Sequence, residues 1–265
     1  MADIFMYLFY VSFHVLSRVY ILPGEVLMDI GLIVDLETTG LDSKNDEIIE
    51  IGIIQFGINA KHELHIIQMY SALQDPGVPL SEEITKITGL TNEAVSGKKI
   101  DWAYVRRLFD ESSIAIAHNA DFDSAFLRNS PEFNGTEIHW ACSVKHIRWR
   151  DHGFKSRALN YLAADHGFVN PFAHRALFDC ATTFRLVEPY IEELIVRSYE
   201  REFMIQAVNS PFEAKDQLKA RGYHWDPSQK YWYLKLLECD LNDERNFLSS
   251  EIYRGDAQHR EVALS

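Results

Sequence analysis

The sequence predicts an α/β fold in which a mixed sheet is flanked by helices and followed by a small C-terminal α+β module. Short apolar runs, typical of buried strands, alternate with segments whose apolar residues recur at helical spacing. This alternation ends near residue 200, where a separate strand, helix and hairpin follow. With 265 residues, 47% of them hydrophobic, the chain is long enough for one full domain and a smaller one.

Four strands are predicted in the main domain. Ile30–Leu36 is almost continuously apolar, which is typical of a buried central strand. Glu47–Phe56 and Glu63–Ser71 are two further strands, joined by a turn at Gly57–Lys61. The short apolar run Ile114–Ala117 is the fourth.

Helices are predicted between and after these strands, at Ser81–Ile87, Thr91–Val95, Ile100–Phe109, Phe122–Arg128, Ser156–Asp165 and His174–Val196. The last of them is predicted as one amphipathic helix of about six turns. The main domain is expected to span residues 28–197.

A small second module is predicted at 203–255. Ser210 and Pro211 open a helix, as N-cap and first helical residue, and Gly222 ends it. Three strands and a last helix are predicted around it, at Phe203–Val208, Tyr223–Trp225, Lys230–Leu236 and Leu241–Ile252.

The charge balance limits the classes of function. The chain has 39 acidic and 26 basic residues, a formal charge of −13. Such a protein does not coat nucleic acid through bulk charge, but it can act on nucleic acid if metal ions carry the positive charge. The three cysteines include no C-x-x-C pair, which favours a reducing, cytoplasmic location.

Residues 1–27 form an apolar N-terminal extension. The run Ile4–Leu16 is shorter than the roughly 20 residues of a membrane span, and no basic region precedes it. Three interpretations stay open: a helix that binds a partner or an interface, a membrane anchor, or a segment outside a native protein that begins at Met28. No membrane association is expected unless residues 1–27 are native.

Two carboxylates lie close together at the end of the first apolar strand. Asp35 and Glu37 are two residues apart, so on a strand they point to the same side. A buried carboxylate needs a partner or a metal ion, because its desolvation alone costs several kcal/mol. The pair suits a hard divalent cation, with a cap or a solvent-facing pair as the alternative.

Two later segments add further acids and a histidine. Asp121 and Asp123 follow the strand Ile114–Ala117 and lie near a helix start, where either could cap the helix. Asp179 lies on the apolar-rich side of the last predicted helix, five residues after His174. Histidine is suited to abstract a proton near neutral pH, although one at a helix start is often only a surface residue.

Three segments together resemble the motifs of DnaQ-like DEDDh 3′–5′ exonucleases, a family that includes the proofreading epsilon subunit of bacterial DNA polymerase III. They are Asp35–Gly40 (DLETTG), His118–Leu127 (HNADFDSAFL) and His174–Asp179 (HRALFD), in this order. The similarity covers about residues 29–193. It implies a ribonuclease-H-like domain that removes nucleotides from a 3′ end.

The resemblance also implies residue roles. Asp35, Glu37, Asp123 and Asp179 match the family's metal ligands, for two Mg²⁺ or Mn²⁺ ions, and His174 matches its general base. Thr38 is expected near the terminal 3′-hydroxyl and Leu41 beside the last base. Asp121 occupies a variable position of the family and receives no role.

The predicted C-terminal module combines cations with aromatic residues. Residues 203–236 contain five basic and three acidic residues. Exposed aromatic rings beside cations are a feature of surfaces that bind single strands, although some of these rings must form the module's own core. The expected substrate contacts are Lys215, Lys219, Arg221, Trp225, Lys230 and Trp232, with a protein-partner or dimer contact of this segment as the alternative. The segment resembles the C-terminal extension of some bacterial DnaQ-like exonucleases and, more loosely, the HARP modules of annealing helicases.

The favoured hypothesis is therefore a 3′–5′ exonuclease of DNA replication or repair, acting on single-stranded DNA by a two-metal mechanism. One alternative is an exoribonuclease that trims RNA ends. Another is a binding subunit of a DNA polymerase or repair complex whose nuclease activity is incidental.

Overall fold

The computed structural model describes residues 20–22, 25–133, 137–255 and 258–264. The apolar run predicted at 4–16 lies outside these residues. Within them, no helix is both long and apolar enough to cross a membrane. The chain divides into two compact units, with the boundary between Ser198 and Tyr199.

The first unit is built on a mixed sheet, as the sequence predicts. Its strand order is β4-β3-β2-β5-β6, with the short β1 paired to β2. Strands β1 to β4 pair antiparallel, whereas β5 lies parallel to both β2 and β6. The strands are β1 (Tyr20–Leu22), β2 (Glu25–Thr38), β3 (Ile48–Asn59), β4 (Leu64–Leu73), β5 (Ile114–Ala117) and β6 (His139–Cys142).

Helices cover both faces of this sheet. One apolar core joins Ile33 and Ile54 to Leu186 and Leu194, and a second joins Leu32 to Phe126 on the other face. The helices are α1 (Glu82–Thr88), α2 (Asn92–Val95), α3 (Trp102–Asp110), α4 (Ala120–Asn129), α5 (Ser143–His146), α6 (Leu159–Asp165), α7 (Ala176–Val187) and α8 (Ile191–Ser198).

The long helix predicted at His174–Val196 is instead two helices, α7 and α8. A 3-10 turn at Glu188–Tyr190 separates them. This turn contains Pro189, which has no N–H to continue an α-helix. His174 lies before α7 because its φ of 61° is left-handed.

Helix α7 approaches strand β3 closely enough to require a glycine. A Cβ atom on Gly52 would lie 2.4 Å from the carbonyl carbon of Ala176. Because no side chain separates the two backbones, the first turn of α7 lies directly against the sheet. This contact brings the His174–Asp179 segment beside strand β2.

The second unit contains a four-stranded antiparallel sheet of order β10-β7-β9-β8. Its helices are α9 (Lys215–Arg221) and α10 (Leu241–Phe247), the latter continued by a π-helix at Leu248–Tyr253. Its strands are β7 (Glu202–Ala207), β8 (His224–Asp226), β9 (Tyr231–Leu237) and β10 (His259–Ala263).

Strand β10 extends this unit past residue 255, where the predicted module ended. It pairs only with β7, so it is an edge strand. Its sequence, HREVA, has no apolar run because only one face of this antiparallel sheet packs on a core, and none of its residues is buried. The sequence pattern therefore gave no signal for it.

Candidate active site

Four carboxylates converge from three elements of the first unit. Asp35 and Glu37 lie near the end of β2, Asp123 in the first turn of α4 and Asp179 in the first turn of α7. Asp123 and Asp179 are buried, whereas Asp35 and Glu37 are partly buried. The structure thus brings together the four acids that the sequence singled out.

Burial and mutual repulsion make this cluster hard to ionise. Burial, followed by the charges of Asp123, Asp179, Glu37 and Glu50, raises the pKa of Asp35 well above its usual range. Burial and the neighbouring acids raise the pKa of Glu37 to about 8. Burial raises the pKa of Asp123 to about 7, although the N–H of Leu36 donates to its Oδ1 at 3.0 Å. Such a cluster of acids favours a bound cation.

Asp179 is oriented by two donors. The backbone N–H of His174 donates to its Oδ2 at 2.8 Å, and Asn170 Nδ2 donates to its Oδ1 at 2.5 Å. Burial raises the pKa of Asp179, and these hydrogen bonds oppose the rise. Asn170 was not among the predicted site residues, because no motif marked it.

His174 lies at the edge of this acid cluster with an exposed side chain. Glu37, His174 and Asp179 each place one potential ligand atom within 4.8 Å of the other two. One metal ion could contact all three atoms. The geometry therefore allows His174 either to ligate a metal ion or to face a substrate beside it.

Two predicted substrate contacts flank the same strand end. Thr38 is buried, and its hydroxyl donates to the carbonyl oxygen of Gly40 at 2.5 Å. Leu41 follows with 88% of its surface exposed, an unusual position for a large apolar side chain. Asp121, by contrast, pairs with Lys145 at 2.8 Å.

Glu50 is a fifth acid beside the cluster that the sequence reasoning missed. It lies opposite Glu37 on β3 and is only 1% exposed. Arg175 donates to it from Nη2 at 2.9 Å and from Nε at 3.1 Å, and the N–H of Ala176 donates at 3.2 Å. Glu50 therefore anchors the residues that directly follow His174. The sequence did contain a signal for Glu50, because it is a charged residue inside the otherwise apolar strand predicted at Glu47–Phe56.

We expect Glu50→Gln to lower kcat by about 10- to 100-fold, the usual loss when a group that orients metal ligands is changed. The substitution removes the charge that pairs with Arg175, so the segment from His174 to Asp179 loses its anchor. Steady-state kinetics on a 3′-end substrate measure the effect. Glu47→Gln makes the same change at an exposed position of the neighbouring sequence and should leave kcat unchanged. Equal activity of the two variants would contradict the anchoring role.

Of the predicted contacts in the second unit, Lys219, Trp225 and Trp232 lie close together. Lys215 lies over the ring of Phe212 and Lys219 over that of Trp232, while Lys230 is exposed at the hairpin turn. Trp225 is 46% exposed, and its ring centroid lies 5.5 Å from that of Trp232.

Arg221 has a structural role in the same unit. Its Nε donates at 3.1 Å to Glu244, a buried acid that also accepts from the hydroxyl of Tyr223 at 2.9 Å. Its guanidinium also covers the ring of Phe247. Arg221 therefore pairs with a buried acid of the unit while its own side chain stays 39% exposed.

Comparisons with known proteins identify the family and the fold of the first unit. Residues 32–187 match the RNase_T family, whose description is "Exonuclease". The chain is 31% identical over 206 residues to the PolC-type DNA polymerase III of Streptococcus suis, a match that covers 75% of this chain and 14% of that protein. It is 34% identical over 197 residues to the PolC-type DNA polymerase III of Listeria innocua, with 72% and 13% covered. The chain thus spans a small part of the relatives' length.

A solved structure supports the fold. The crystal structure of a full-length 3′-exonuclease superposes with a TM-score of 0.51 at 15% identity, covering 65% of this chain and 64% of that one. At this identity the similarity concerns the fold, which is ribonuclease-H-like.

Proposed function

The chain belongs to the RNase_T exonuclease family, and on that premise we propose that it is a 3′–5′ exonuclease that hydrolyses DNA ends. The observation that carries the proposal is the convergence of Asp35, Glu37, Asp123 and Asp179 beside the exposed His174. DNA is favoured over RNA because the relatives at 31% and 34% identity are DNA polymerases. A polymerase or repair complex is the partner that this similarity suggests.

The chemistry of the donor set fits divalent cations. Four carboxylates supply hard oxygen ligands, and their four negative charges balance two Mg²⁺ or Mn²⁺ ions. The guanidinium of Arg175 is a positive charge of the protein itself that lowers the pKa of Glu37. This guanidinium is already paired with Glu50. Asp35, Glu37, Asp123 and Asp179 would hold the ions. Two bound cations would supply positive charge that stabilises the in-line displacement at the phosphate.

The remaining steps belong to the chain's own residues. His174 takes the proton of the attacking water through its exposed imidazole, while the hydrogen bond from its N–H to Asp179 holds the backbone in place. Thr38 faces the terminal 3′-hydroxyl, and Leu41 packs beside the last base. Because the site recognises a 3′-hydroxyl, hydrolysis starts at an end of the strand. It does not depend on which base the terminal nucleotide carries.

Digestion of a 5′-labelled single-stranded DNA with Mg²⁺ tests this function. We expect a ladder of products that shortens one nucleotide at a time from the 3′ end. The same oligonucleotide with a 3′-phosphate is the control, and it should resist because its 3′-hydroxyl is blocked. Internal cuts, or a DNA left intact, would refute the proposal. Faster digestion of a matched RNA would identify an exoribonuclease.

A further inference from the structure

The second unit leaves one face of its sheet without a covering element of its own. In chain order it is β7-α9-β8-β9-α10-β10, a split β-α-β arrangement. Both helical segments pack on the same side. Leu218 of α9 and Leu248 of the π-helix form one core with Ile205 and Ala207 of β7. Among residues 199–255 and 258–264, no helix packs on the opposite side, which we call the open face.

Strand alternation identifies the residues of the open face. Because Ile205, Ala207, Trp232 and Leu234 point into the core, their neighbours along each strand point the other way. The strand register places these neighbours in adjacent rows. The open face consists of Glu202, Met204, Gln206, His224, Asp226, Tyr231, Tyr233, Lys235, Leu237, Arg260 and Val262, of which Gln206 and Leu237 are buried.

Two tyrosine rings lie on β9, one of the two inner strands of this sheet. Tyr231 and Tyr233 are two residues apart on β9, a separation of about 7 Å, so each can stack on a different base. The ring of His224 lies 5.9 Å from that of Tyr233 and is tilted by 37°. The amide of Gln206 donates to the hydroxyl of Tyr231 at 3.2 Å, which holds this ring in place.

Cations flank these rings. Lys235 and Arg260 are exposed, and neither forms an ion pair with the part of the chain that the structure describes. The acids of this face lie at its ends: Glu202 begins β7, and Asp226 lies at the hairpin turn, where it accepts from Ser228 and Gln229. In a chain of net charge −13, rings bordered by unpaired cations complement a phosphate backbone.

We infer that the open face binds single-stranded nucleic acid, with bases stacked on Tyr231 and Tyr233 and phosphates contacted by Lys235 and Arg260. Four-stranded sheets with helices on one side and aromatic residues on the other bind unpaired bases in this way. The inference rests on the proposed exonuclease function, because the bound strand is the substrate upstream of its 3′ end. It assigns this role to the open face rather than to Trp225 and Trp232, which lie on the helix side.

Binding of a fluorescent single-stranded DNA 20-mer to the full chain in EDTA tests this inference, because no hydrolysis occurs without divalent cations. Tyr233→Leu should weaken binding by about tenfold, within the usual contribution of one stacked base. Tyr233→Phe keeps the ring and should bind like the wild type. Trp225→Leu, an equivalent change on the helix side, should also leave binding unchanged.

The charged residues give an independent measurement. The Lys235→Gln, Arg260→Gln double variant should reduce the slope of log K against log salt concentration by about 1.4, since each phosphate contact on a single strand contributes about 0.7. Both side chains are exposed, so the fold should be preserved. A 20-mer duplex should bind more weakly than the single strand, because its bases are not free to stack.

Several outcomes would overturn the inference. Unchanged affinity in Tyr233→Leu and in the double charge variant would exclude the open face. Loss in Trp225→Leu equal to that in Tyr233→Leu would place the strand on the helix side. Cleavage of a dinucleotide separates this inference from the proposed function. Tyr233→Leu should cleave the dinucleotide at the wild-type rate. A wild-type chain that cleaves no substrate would refute the proposed exonuclease function and leave the binding measurement valid.

Discussion

Asp35→Ala and Asp179→Ala are each expected to reduce hydrolysis at least about 10³-fold, since bound cations contribute several kcal/mol to such reactions. The two residues come from different elements, β2 and α7, and both lie in the acid cluster. Removing either one leaves too few carboxylates to balance two divalent cations. Single-turnover digestion of a DNA oligonucleotide in Mg²⁺ measures the loss.

Thermal unfolding provides a second measurement that does not depend on activity. Glu37 and Asp123, with pKa values of about 8 and 7, are both raised above the values they have when unfolded. At these two groups the folded protein therefore binds more protons than the unfolded one between about pH 4 and pH 8. Their contribution to stability without metal should be greatest below this range and be lost as the pH rises through it.

Removing an acid should therefore stabilise the metal-free protein at pH 8, because fewer like charges repel one another. In contrast, Mg²⁺ should raise the melting temperature of the wild type and have less effect on Asp35→Ala. Asp121→Ala is the matched control, because Asp121 is exposed and paired with Lys145. Wild-type activity in Asp35→Ala or Asp179→Ala would exclude the metal assignment.

The four clustered acids could be singled out from the sequence because local patterns fix their positions. Asp35 and Glu37 interrupt an apolar strand with a spacing of two, and this spacing alone places them on one side of it. Asp123 and Asp179 each follow a recognisable helix start. The family motifs then implied that these four residues, distant in the chain, share one site, and the structure brings them close together.

The anchoring contacts could not be predicted, because they depend on how distant segments pack. Glu50 and Arg175 are 125 positions apart, and only the close approach of α7 to Gly52 brings them together. The role of Arg221 is similar, since its partner Glu244 lies on another helix of the second unit.

The side-chain faces of the hairpin in the second unit could not be assigned from the sequence, for a different physical reason. A hairpin alternates its side chains between two faces, but the sequence does not say which face the helices cover. The core contacts of Trp232 and Leu234 settle this question and leave Tyr231 and Tyr233 on the open face. The predicted contacts at Trp225 and Trp232 were chosen without that information.

His174→Ala is expected to lower the rate of hydrolysis by about 10²–10⁴-fold, the usual contribution of a positioned general base. The exposed imidazole lies beside the carboxylates of Glu37 and Asp179, where it can take a proton from an attacking water. Single-turnover rates measure this loss, and titration with Mn²⁺ measures the affinity for metal separately. A base contributes to the first quantity and little to the second.

His174→Asn is the control for the backbone. The φ of 61° at His174 is unfavourable for alanine, whereas asparagine adopts it readily. Both variants lack a side chain that can act as the base, so both should hydrolyse DNA slowly. In His174→Asn, the backbone N–H of residue 174 should still donate to Asp179. If activity returns in His174→Asn, the backbone conformation and not the imidazole is what matters. If His174→Ala chiefly loses Mn²⁺ affinity, as Asp179→Ala should, then His174 is a metal ligand. The ligand atoms of Glu37, His174 and Asp179 lie within 4.8 Å of one another, which permits that role. Another group would then have to be the general base.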